Sequence, residues 1–317
     1  MNPTLLDCLI LILIFGIVTL GLDIISGYAR IFSVNHALLF GIGAFSYGFC
    51  VNSLQSSDLL LAWAIAVPIA AILSATVAMA SLRVSGDHFL IASFGMQLIG
   101  LQVIYNWHYV SGGAAGLFGL PFPTVLGWEP VTSEGFFALA LAVAVIAYAG
   151  VAFLLMSPYG RLVRALGQDE SALAAAGFNP LKLKVGTFVL GGSLAAVAGV
   201  LYAGYNGIAQ VADYSLDISV SLLAMVIVGG PGRIVGGILG ACLLVLLPRL
   251  LDQMGISSTS LGPIKQAAFA TLLLAVIFFL PAGLSGTGAS ILGAIKQRFS
   301  PSRADAVAKA SREESQA

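Results

Sequence analysis

Charge is scarce in this sequence: Asp, Glu, Lys and Arg make up 9% of 317 residues, and 14 bases are balanced by 14 acids. A soluble domain carries about a quarter charged residues, so a water-facing globule is excluded. A net charge of zero leaves no basic field for nucleic acid. No lysine follows a glycine, which removes the Gly-Lys-Ser/Thr phosphate loop and ATP binding of that kind. His-Glu-x-x-His and Gly-x-Ser-x-Gly are also missing, so no catalytic machinery is visible and the chain is not expected to be an enzyme. Cys8, Cys50 and Cys242 stand far apart in apolar surroundings, and His36, His88 and His108 are not at ligand spacing. No metal and no cofactor is therefore expected, and the cysteines read as packing residues.

What fills the chain instead is hydrocarbon. Hydrophobic residues reach 59%, with a mean hydropathy of +1.00. The apolar runs are continuous for about 20 residues, enough to cross a bilayer as helices and unlike the alternation of barrel strands. The expectation is an all-α integral membrane protein, a polytopic helical bundle of about 8–10 transmembrane helices. Spans are expected near 5–25, 30–51, 59–82, 88–108, 133–156, 183–206, 215–231, 234–251 and 265–282. The N-terminus lacks a basic region and a small-residue cleavage site, so it reads as a retained first span. Residues 1–298 form the membrane domain in this reading, and 299–317 a polar, disordered cytoplasmic tail. Lys and Arg favour the cytoplasmic side of short loops, which gives an N-out, C-in orientation with only Arg249 and Lys265 outside.

The largest polar island lies between two apolar blocks, in the loop 157–182. It holds Arg161, Arg164, Asp169, Glu170 and Lys182, with Lys184 just beyond. Residues 161–176 read as one short helix on the membrane surface, on which Asp169 and Glu170, about 100° apart, do not converge. Gly177 supplies a left-handed stop, and Asn179 with Pro180 the cap and first residue of the next helix. Two other stretches stand out. Ser26–Phe45 carries Arg30, Ser33, Asn35 and His36 beside Gly41 and Gly43, as in a helix interrupted where it lines a cavity. Gly191, Ala195 and Gly199, and then Gly232, Gly236 and Gly240, recur every four residues, a period that lets helix backbones approach closely in lipid.

These stretches carry a resemblance. Glu170, Ala174, Ala175 and Gly177 followed by Leu183–Ala203 are similar to the cytoplasmic loop of an ABC importer permease of the LivM-type, branched-chain amino-acid family. Ser33, His36, Ala37 and Phe40–Ala44 resemble that family's Gly-Gln-x-Ser-x-Gly-His-Ala segment, with Arg30, Ile31 and Asn35 in place of its Gly, Gln and Gly. The glycine-rich outer loop around Ser111–Gly113 and Gly116–Pro121, the block Val228–Ala241 and the exit Leu280–Gly286 resemble further family signatures.

The resemblance implies the ABC importer permease fold and a bacterial inner-membrane location. It implies a subunit that moves branched-chain amino acids or a related small polar solute. The island would be the ATPase-coupling element through Arg161, Arg164, Asp169, Glu170, Ala174 and Gly177. Ser33, Asn35, His36, Gly41 and Gly43 become pathway candidates. The implied partners are a second permease subunit, two ATP-binding subunits, a periplasmic or surface solute-binding protein and the lipid bilayer. A ribose-type sugar permease is the alternative, and an ion-coupled secondary transporter a more distant one, since paired ionisable residues are missing from the spans.

Overall fold

The computed structural model describes residues 3–80, 87–125, 127–253 and 271. The expected last span 265–282, the exit Leu280–Gly286, Arg83 and the tail 299–317 lie outside the described residues. Helix α1 (Pro3–Asp23) continues into a π-helical turn, Ile24–Tyr28, and is followed by α2 (His36–Ser53), α3 (Leu59–Ala80), α4 (Asp87–Asn106) and the single turn α5 (His108–Ser111). Strand β1 (Leu117–Phe118) precedes α6 (Ser133–Met156), α7 (Pro158–Gln168), α8 (Glu170–Ala175) and α9 (Pro180–Asn206). Strand β2 (Ile208–Ala209), a 3-10 turn (Val211–Tyr214), α10 (Leu216–Gly229) and α11 (Gly236–Gln253) complete the order.

Among the described residues, 7 helices are long and apolar enough to cross a membrane, with α11 supplying a shorter apolar stretch, Gly236–Leu246. The chain is therefore an all-α polytopic bundle, and its small β1–β2 ladder is an antiparallel clasp pairing Leu117 with Ala209. One expected span changes character. Residues 30–51 do not form one helix: 29–35 are non-helical and α2 begins only at His36.

Contacts sort the helix ends. At one end, Gly232 N–H donates to Asp23 Oδ1 at 2.8 Å, and Arg164 lies 5.4 Å from the centre of the Tyr28 ring. That end gathers Arg30, α7, α8, the start of α9 and the α10–α11 turn. At the other end, Tyr205 OH donates to Asp7 Oδ1, Leu59 N–H donates to the Thr124 carbonyl at 2.9 Å, and Tyr47 OH donates to the Pro121 carbonyl at 2.7 Å. The long loop after α5 and the β1–β2 clasp cover it.

Helices α1, α2 and α9 form the centre, whereas α3, α4 and α6 are largely uncovered within the subunit. Lipid tails are as apolar as leucine, so helices gain little from hydrophobic burial against one another and depend on close contact. Helix α9 achieves it through small residues. A Cβ on Gly191 would run into the Gly21 carbonyl of α1, and one on Gly199 into the Phe40 carbonyl of α2. Ala195 between them is fully buried. Gly236 and Gly240 serve the α10–α11 contact, against the backbone of Gly229–Gly230 and Met225. Gly232 differs from that expectation: it stands in the turn before α11 and offers its N–H to Asp23.

Gly199→Val should cost about 3 kcal/mol, because a well-packed contact has no room for added methyl groups. Thermal unfolding of the detergent-solubilised protein measures this, with Gly150→Ala as the neutral comparison, since nothing lies within 4 Å of a Cβ there.

Candidate functional site

The exposed loop on the arginine-bearing end is two helices and not one. Pro158 occupies the first turn of α7, where a missing N–H costs nothing. Tyr159, Leu162, Val163 and Leu166 form its apolar stripe, leaving Arg161, Arg164 and Gln168 facing out. Asp169 ends α7 in an extended conformation and caps α8, its Oδ1 accepting the N–H groups of Ser171 at 2.8 Å and Ala172 at 3.0 Å. The single helix expected over 161–176 is corrected on this point, for the capping carboxylate offers the backbone a local partner that outcompetes the helix.

Glu170 pairs with Lys184 at the start of α9, 2.8 Å apart. Gly177 has φ +86, its N–H donating to the Ala174 carbonyl at 3.0 Å while Phe178 N–H donates to the Leu173 carbonyl at 3.3 Å. This is the Schellman pattern that closes a helix on glycine. Asn179 then caps α9, its Oδ1 accepting from Leu181 N–H at 3.0 Å. Ala174, Gly177 and a half-exposed Phe178 stand out from the surface, while Leu173 anchors α8 beneath.

The loop rests on the π-helical turn. A Cβ on Gly167 would meet the Tyr28 carbonyl, and Arg164 stacks on the Tyr28 ring. That turn exists because Gly27 has no Cβ, which admits the Asp23 carboxylate and the Gly232 backbone to the same spot. Arg30 follows with φ 55, a left-handed conformation that glycine adopts easily and arginine does not.

Beyond Arg30 the chain enters the interior as a polar junction. Ser33 Oγ donates to Asn35 Oδ1 at 2.6 Å, and Val34 N–H donates to Ser93 Oγ of α4 at 3.2 Å. Ala37 N–H, in the first turn of α2, donates to Ser219 Oγ of α10 at 3.1 Å, and Ser219 Oγ donates to Gln97 Oε1 of α4 at 2.6 Å. Ser33, Asn35, His36, Ser93 and Gln97 are all 0% exposed. The Asn35 and Gln97 NH2 groups have no partner. The His36 ring nitrogens find no hydrogen bond of good geometry; its ring lies toward the Gly191 carbonyl of α9.

Three expected pathway residues, Ser33, Asn35 and His36, thus come together here. Gly41 and Gly43 do not join them. Gly41 packs on the Tyr214 ring, and Gly43 on the Ala196 carbonyl. Ser93, Gln97 and Ser219 were not singled out from the sequence, although Ser93 and Gln97 sit four apart on one face of an apolar helix, a legible signal. Further along α2 an apolar cavity of about 260 Å³ is lined by Ile42, Phe45, Phe49, Ile65, Ile104 and Trp107. Among the described residues no group of His, Cys, Asp or Glu could hold a metal ion.

The family model for the branched-chain amino acid transport system permease component matches residues 4–281. The chain belongs to that family. It is 27% identical over 274 residues to the high-affinity branched-chain amino acid transport system permease protein LivM of Escherichia coli (strain K12), covering 77% of this chain and 63% of that protein. It is 26% identical over 315 residues to a probable LivM of Methanocaldococcus jannaschii, covering 86% and 90%. Ribose import permease protein RbsC of Escherichia coli (strain K12) is 36% identical over 123 residues, 37% of each chain. No solved structure matches. This chain spans under two thirds of the length of the enterobacterial LivM proteins it matches. The apolar helices and the family together make it a multi-pass inner-membrane protein.

Arg30 holds a left-handed conformation that glycine adopts without strain. Arg30→Gly should raise stability by about 1 kcal/mol, relieving the left-handed strain. A higher midpoint of thermal unfolding in detergent is the expected outcome.

Proposed function

We propose that this chain is the membrane-crossing permease subunit of an ATP-driven importer, taking branched-chain amino acids handed over by a solute-binding protein. The observation that carries this is the family match across residues 4–281, joined to an exposed loop of two short helices at the arginine-bearing end. With no phosphate loop in the sequence, the fuel sits on two separate ATP-binding subunits, and a second permease completes the pathway. Lys and Arg concentrate at the end bearing α7 and α8, which supports that end as cytoplasmic. The opposite, loop-covered end then faces the receptor, with Ser111–Gly113 and Gly116–Pro121 as its contact.

Seating of an ATPase on α8 would move α7, because Asp169 ends one helix and caps the other and Leu173 of α8 shares a buried apolar cluster with Val163 and Leu166 of α7. Arg164 and Gly167 of α7 bear on Tyr28 and Ala29, so the displacement reaches the π-helical turn and, five to eight residues on, the polar junction. A π-turn is a place where a helix is already off its regular ladder, and it suits a hinge. Alternating access needs such a two-state element, with each state held by different contacts.

ATP-driven uptake of labelled leucine by proteoliposomes holding all subunits tests the reading. Uptake is expected from leucine and not from ribose; the reverse result would select the ribose-type reading, which the RbsC segment favours. Glu170→Ala and Gly177→Val are expected to lose uptake by about ten-fold while membrane insertion persists, since each disturbs the coupling helix and not the spans. Normal transport in both variants would remove the coupling role from α8.

A further inference from the structure

Resting on the importer reading, we propose that the junction of Asn35, Gln97 and Ser219 with the first turn of α2 receives the carboxylate of the amino-acid solute in transit. The hydrogen-bond directions carry this. Ser219 Oγ accepts the Ala37 N–H and gives its own proton to Gln97 Oε1, and the Gln97 NH2 is left turned away from the serine. Asn35 is held the same way by Ser33, its oxygen taken and its NH2 unpaired.

Two amide groups, both fully buried, therefore each turn an oxygen to a serine hydroxyl and leave an unpaired NH2 beside a helix start. Asn35 stands at the N-cap of α2 without capping it through its side chain, so apart from the Ala37 N–H, which Ser219 takes, the first turn keeps its partial positive charge. A buried unpaired donor costs about 1–3 kcal/mol, and a junction serving only to pack would be at least as well met by apolar side chains.

The chemistry selects a carboxylate. Two unpaired NH2 groups beside the positive end of a helix favour an anion over an ammonium, and over a neutral sugar hydroxyl, which gains less from the dipole. The residues of the junction are uncharged, so the grip is weak, as a site that must release its solute requires. In this structure the Val34–Ser93 and Gln97–Ser219 bonds draw α4 onto α2 and α10. Helix α4 is among the least enclosed of the spans, and its withdrawal would open the junction.

The test uses the whole complex in proteoliposomes, reading labelled leucine uptake beside receptor-stimulated ATP hydrolysis. Asn35→Asp with Gln97→Glu places acceptors where donors stood, and uptake per ATP hydrolysed should fall by about ten-fold or more while stimulated hydrolysis stays within about two-fold. Gln97→Met removes the donor and leaves no unpaired polar atom of its own, so assembly should survive; uptake per ATP should fall several-fold. Unchanged uptake per ATP in Gln97→Met, or equal loss of uptake and hydrolysis in an assembled complex, overturns the carboxylate site and leaves the importer reading standing. Failure of the parent complex to move leucine with ATP overturns the importer reading instead.

Discussion

A chain that breaks its helix inside a bilayer must find partners for the backbone it frees, because no water is there to take them. Between Ala29 and Ala37 this protein does so with serines from distant spans. Ser93 takes the Val34 N–H and Ser219 the Ala37 N–H, across 59 and 182 residues of sequence. The break is therefore also a fastening: it ties α2 to α4 on one side and to α10 on the other. The polar junction follows from the same need, since each serine that accepts a backbone proton must place its own, Ser93 on the Leu90 carbonyl and Ser219 on Gln97.

The rest of the bundle makes that break tolerable. Helix α9 lies against α1 and α2 at glycine and alanine positions, where carbonyls and backbone atoms touch directly. Such contact holds the two flanks of the interrupted segment at fixed separation, so the seven residues between them have one route to follow. At the arginine-bearing end the same economy appears in Gly27 and Gly167, which let the π-turn, the α10–α11 turn and α7 share one small volume. A push on α7 has little slack to absorb it before reaching Tyr28.

Local chemistry was legible. Gly177 as a left-handed stop and Asn179–Pro180 as a helix start depend on neighbours within four residues, so pattern sufficed. Asp169 misled because its carboxylate could sit on a continuous helix or cap a new one, and the Glu170 pairing with Lys184 adds to the second choice only after α9 has folded back. Gly41 and Gly43 were placed with the pathway because glycine beside polar residues suggests a cavity. Their neighbours turned out to be the Tyr214 ring and the Ala196 backbone, far along the chain. Gly232 fitted a four-residue period by coincidence of spacing, while its N–H was needed by Asp23.

The sequence by itself determined that this is a helical membrane protein with an exposed loop on its basic end, because apolar length and charge placement act through solvent and require no fold. It also determined the close-packing face of α9, since a four-residue period of small side chains is a property of one helix. Only the tertiary structure decided which serines complete the broken backbone, and that Asn35 and Gln97 keep their donors unpaired in the interior. Those choices depend on three helices meeting at one point, and hydrogen-bond direction is set there by the whole chain of partners and not by any residue alone.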